Sequence, residues 1–190
     1  MTNKILKRLL SAALFCTLSP SLLAQAPTTA THVPRADIMT VFEHMGETID
    51  QQIRVVDIGD EVNIGVGILQ RKGNRTEGEE VNAIVHHRVA EIYYVLSGSG
   101  TLVTGGDQKQ SASREFPADN VSVLELIGPS GSRVVTNGET KTISVGDIVV
   151  IPAGVPHGFR NIQDQITYIS IRVDPDQVLP IGYEHPSVQD

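Results

Sequence analysis

After Gly46 the chain offers no run of apolar residues at the spacing of a long helix; it offers a rapid series of short segments with β character. In one of them Val62, Ile64, Val66 and Ile68 alternate with other residues, Gly65 and Gly67 among them, so the apolar side chains share one face. Ile53 and Val55 alternate just before it. Further strands are predicted over 83–87, 91–96, 101–104, 121–126, 132–135, 140–144, 148–151 and 166–173. The glycine-rich stretches at 97–100 and 105–106 read as turns, and the polar stretch 107–120 as a loop. Many short strands separated by Gly, Pro and Asn turns bury their apolar faces as a sandwich or a barrel. One short helix is predicted over 37–45, from the spacing of Ile38, Met39, Val41, Phe42 and Met45.

The first 26 residues read as a secretory signal peptide. Lys4, Lys7 and Arg8 give a basic start, 9–23 is mostly apolar, and Ala24 and Ala26 supply small residues for cleavage. The apolar stretch is short for a membrane span, which needs about 20 apolar residues. Cleavage leaves 164 of the 190 residues, enough for one domain with a real core, and removes Cys16, the only cysteine. The mature chain then has no thiol for a disulfide, a nucleophile or a metal. Export to the periplasm or beyond, with no stable membrane association after cleavage, is the expectation.

Removing the three basic residues of the leader takes the net charge from −7 to −10. A chain this acidic, with no Lys/Arg cluster, repels phosphate backbones and anionic membrane surfaces, so nucleic acid is excluded as a partner. The glycines near 98 and 105 lead into no helix, which argues against a phosphate-binding loop.

The chemistry sits in two segments. In the second, Gly146-Asp147 turns into an apolar strand, Pro152 and Gly154 end it, and His157 follows with Asn161 four residues on. The pattern is G-x5-P-x-G-x2-H-x3-N. In the first segment His86 and His87 precede Glu91, an apolar run and then Gly98. Together these resemble the two characteristic motifs of the cupin superfamily. The resemblance covers about residues 62–173. It implies an all-β, double-stranded β-helix (a jelly-roll barrel) with a metal site inside, and often a homodimer. The expected organisation is a signal peptide at 1–26, a leader with a short helix and an arm strand at 27–61, the barrel at 62–173 and a tail at 174–190.

The resemblance makes His157 and Glu91 metal ligands. It leaves the upstream histidines ambiguous. A three-residue spacer before Glu91 makes His87 the ligand and puts Val85 where another histidine is customary; a four-residue spacer makes His86 the ligand and puts Ile84 there. Adjacent strand residues point to opposite faces, so both cannot face inward without a bulge, and the shorter spacer favours His87. Two imidazoles and a carboxylate suit a divalent ion: Fe, Mn, Zn, Ni or Cu. Tyr93 shares strand parity with Glu91 and is expected to point inward. Tyr168, Ser170 and Arg172 share one face; if that face is inward, Arg172 could hold a substrate carboxylate through both arms of its guanidinium. The expected function is a metal-dependent enzyme (dioxygenase, lyase, isomerase or decarboxylase type) acting on a small oxygenated molecule. The alternative is a barrel that binds a small molecule or a metal without turnover.

Overall fold

The computed structural model describes residues 28–189. The signal segment and Cys16 lie outside them. A short helix, α1 (Arg35–Glu43), precedes ten strands: β1 (Asp50–Asp57), β2 (Asn63–Arg75), β3 (Val81–His86), β4 (Ala90–Thr104), β5 (Asp107–Gln108), β6 (Arg114–Glu115), β7 (Ser130–Thr136), β8 (Glu139–Ser144), β9 (Ile148–Ile151) and β10 (His157–Asp174). All ladders are antiparallel. β1, β2, β10, β3, β7 and β5 follow one another, while β4 pairs with β10, β8 and β9. The ladder does not close on itself, since β1 pairs only with β2 and β9 only with β4. The architecture is the all-β jelly roll that the cupin resemblance implies.

β10 is the central strand. Over 166–174 it lies between β2 and β4, and at His157 it meets β3. It therefore gathers side chains from three neighbours over one interior. That interior is apolar and aromatic, built from Leu69, Tyr93, Val95, Leu102, Phe159 and Tyr168 among others.

The alternation in β2 has a purpose on each face. Val66 and Ile68 point outward and are covered by Val41 and Met45, contributed by α1 and the turn after it. Gly65 and Gly67 point inward, where Arg172 lies flat on the strand; a Cβ on Gly67 would stand 2.7 Å from its Nη1. At Gly67 the buried guanidinium occupies the space of a side chain, and at Gly65 a Cβ would stand 2.6 Å from Gln52 Nε2 and 3.2 Å from the Arg172 Cβ.

Two local expectations fail. The turn expected at 97–100 is part of one continuous strand, β4, which is bulged where it passes β10. Gly98 (φ 75°) is required there, because a Cβ would fall 1.9 Å from the Gln165 carbonyl oxygen. The strand expected at 121–126 is a single helical turn, Val123–Ile127. Val123 and Ile127 are buried while Val121 and Leu124 are exposed, a helical rather than alternating pattern. The tail lies over the barrel, with Leu179 buried against Val55 and Val89.

Candidate metal centre

His157 opens β10, His86 ends β3 and Glu91 is the second residue of β4. The sheet brings the three together, and all are buried. His86 Nε2 lies 3.3 Å and His157 Nε2 3.2 Å from the same oxygen, Glu91 Oε2. The imidazole centroids are 5.2 Å apart.

The opposite edge of each ring fixes which nitrogen carries the proton. His157 Nδ1 is 3.0 Å from the Val155 carbonyl oxygen, which can only accept, so Nδ1–H donates. His86 Nδ1 is 2.8 Å from Ser130 Oγ, and that hydroxyl lies 2.9 Å from the Gly128 and 3.2 Å from the Ile127 carbonyl oxygen. The hydroxyl has one proton and gives it to a carbonyl, so its oxygen accepts from His86 Nδ1–H. Both Nε2 lone pairs are thereby turned toward Glu91 Oε2.

Glu91 is held from behind. Oε1 accepts from Ser170 Oγ at 2.8 Å and Arg172 Nε at 3.3 Å, and Oε2 accepts from Tyr93 Oη at 2.8 Å. Burial alone would raise the carboxyl pKa, but the surrounding groups, the Arg172 charge among them, outweigh it and hold the group well below the usual carboxylate range. Burial, and then the Glu91 charge, push the Tyr93 phenol well above its ordinary value, so it stays a donor.

Three acceptors thus converge, and among the described residues none is a hydrogen-bond partner of the buried His157 Nε2. Such an orphaned atom calls for a cation. Nitrogen and oxygen ligands at about 2.0–2.2 Å from a metal stand roughly 3–3.5 Å from one another, which the 3.2 and 3.3 Å separations match. The residues present fit a divalent ion held by His86, Glu91 and His157.

Two sequence expectations are corrected here. His87 is outside the group: its side chain is 37% exposed, its Nε2 lies 2.5 Å from Glu115 Oε2, and its N–H donates to the Pro129 carbonyl. The reason is that β3 ends at His86 and the chain bends over 87–89 before β4 begins. Strand parity counted back from Glu91 does not survive that bend, and the four-residue spacer holds. Arg172 does point inward, but it is not open to a substrate carboxylate. It is fully buried, with Nε on Glu91, Nη1 on Gln52 Oε1 and Nη2 on Asp50 Oδ2. Tyr93 points inward, as parity predicts. Ser130 escaped the sequence reading, because its link to His86 depends on the register of β3 against β7.

The Cupin family model matches residues 74–185. The chain is a cupin. No curated protein matches it in sequence. Among solved structures, a Bacillus halodurans protein is 17% identical to this cupin, with 84% of this chain and 92% of that one covered and a TM-score of 0.43. The DMSP lyase from Ruegeria pomeroyi is 11% identical, with 75% and 54% covered and a TM-score of 0.39. A variant of the Bacillus subtilis oxalate decarboxylase is 13% identical, with 66% and 25% covered and a TM-score of 0.39. This cupin therefore spans about half of the lyase and a quarter of the decarboxylase.

Proposed function

We propose that this cupin is an exported metal-dependent enzyme that binds one divalent ion through His86, Glu91 and His157 and acts on a small oxygenated organic molecule. The observation that carries the reading is the pair of imidazoles, each fixed by a partner at Nδ1, with both Nε2 atoms converging on one carboxylate oxygen. A bound ion would supply Lewis acidity and, if redox-active, electron transfer. The protein's own share is to hold Glu91 ionised, to bind it through Oε1 from behind, and to keep the Tyr93 proton on the phenol beside Oε2. Three protein ligands leave coordination positions for a substrate or water. Ile84, which pairs with His157 across the ladder, stands where a further histidine is customary.

Elemental analysis of protein purified from the native host, followed by a substrate screen under air and under nitrogen, tests the reading. About one equivalent of metal with turnover supports it. Metal without turnover on any compound favours the non-catalytic binding barrel, and protein that neither carries nor takes up metal defeats both.

A homodimer belongs to the same reading. Tyr94, Ile148 and Val150 stand 46%, 66% and 65% exposed on the paired strands β4 and β9, and they support pairing of two copies. Light scattering on the mature protein measures its mass in solution.

A further inference from the structure

A cavity of about 620 Å³ lies between the turn after α1 and the far end of β2, and none of the three candidate ligands lines it. Arg71 and Phe159 do. Arg71 follows Leu69 on the inward face of β2. Its Nε donates to Tyr168 Oη at 2.9 Å, and its guanidinium carbon lies 5.6 Å from the centroid of Phe159. The side chain is therefore fixed at one edge and supported on one face.

Its other edge has no partner: among the described residues none accepts from Nη1 or Nη2. Arg54, Arg88, Arg133 and Arg172 each meet a carboxylate. A partly buried guanidinium ordinarily does so. Tyr168, whose oxygen accepts from Arg71 Nε, is fully buried and anchors the guanidinium from the barrel interior. Two acidic residues, Glu43 and Glu47, also line the cavity, but both are exposed, and Glu47 lies 3.0 Å from Lys72. Phe159 and Ile162 supply apolar wall.

We propose that this cavity binds a small organic carboxylate, with the carboxylate held by the Arg71 Nη groups and the apolar body against Phe159 and Ile162. A planar fork matched to a carboxylate, with an aromatic wall behind it, is the chemistry that selects such a ligand. The site does not depend on a metal at His86, Glu91 and His157.

The test is calorimetric titration of the EDTA-treated protein with sodium benzoate and sodium hexanoate, with benzyl alcohol as the uncharged control. At least one carboxylate should bind with unit stoichiometry, and benzyl alcohol at least about tenfold more weakly, as expected for loss of a charge-assisted hydrogen-bond pair. Arg71→Gln should weaken binding by about tenfold or more, with Arg71→Lys between the two. A nuclear magnetic resonance titration of the unmodified protein should shift the Arg71 Nε–H signal at the same ligand concentrations, which keeps the test independent of how the variants fold. No binding of either carboxylate up to about 10 mM, binding unchanged in Arg71→Gln, or binding that requires added metal would each overturn the proposal. The first two outcomes leave the metal reading untouched, and absence of metal uptake leaves this one untouched.

Discussion

The Nε2 atoms of His86 and His157 stand 3.3 and 3.2 Å from one oxygen, Oε2 of Glu91, although the histidines are 71 positions apart in the chain. Three buried acceptors at that spacing repel one another unless a cation sits among them. His157→Ala and Glu91→Ala should each weaken metal binding by more than about 100-fold, beyond the loss that follows removal of an outer partner. Both variants should stay folded, because barrel stability comes mainly from apolar burial. Elemental analysis beside circular dichroism checks this; a folded variant with wild-type metal content would remove that residue from the site.

His86 and His87 should separate cleanly. His86→Ala takes away a ligand and should cost as much as His157→Ala. His87→Ala removes an exposed contact with Glu115 and should leave metal content unchanged. Ser130→Ala, which leaves the His86 ring free to change tautomer or turn, should fall between them with a loss of about 10–100-fold. Metal titrations of the three variants give the ranking, and a larger loss for His87→Ala than for His86→Ala would contradict the geometry.

The parts of the site legible in the sequence are those set by local geometry. The turn residues Pro152 and Gly154 place His157 at the head of its strand, and the apolar run after Glu91 marks a strand with Glu91 and Tyr93 on one face. The choice of His86 over His87 was not legible, because it depends on a bend at 87–89 pinned by the His87 N–H on the distant Pro129 carbonyl. Nor were the partners of Arg172: Asp50 and Gln52 come from a strand that reaches it across β2 only once the ladder has formed. The helical turn at Val123–Ile127 is not legible because a five-residue stretch with four branched apolar residues around Glu125 fits either period.

Export is tested on the native host. The basic start, apolar stretch and small residues of 1–26 predict that the mature chain begins after Ala24 or Ala26. N-terminal sequencing of protein released from the periplasm or medium should find Gln25 or Pro27 first. A chain beginning at Met1 or Thr2 would count against export.

Gly67 and Arg172 should prove energetically coupled. Arg172 is buried between Glu91 and Asp50, and removing it strands two carboxylates in the interior. Arg172→Met should therefore destabilise the metal-free protein by about 3–5 kcal/mol. Gly67→Ala would place a Cβ 2.7 Å from Arg172 Nη1 and 3.2 Å from its Cζ, forcing the guanidinium off its partners at a cost of about 1–3 kcal/mol. In the double variant the clash has no second party, so the added methyl has little left to displace. The combined loss should fall short of the sum of the single losses by about 1 kcal/mol or more. Urea unfolding of the four EDTA-treated proteins measures each term. Strictly additive losses would mean that the glycine is required by something other than the guanidinium, and would leave the neighbouring Gln51 carbonyl, 3.2 Å from the same Cβ position, as the remaining contact to examine.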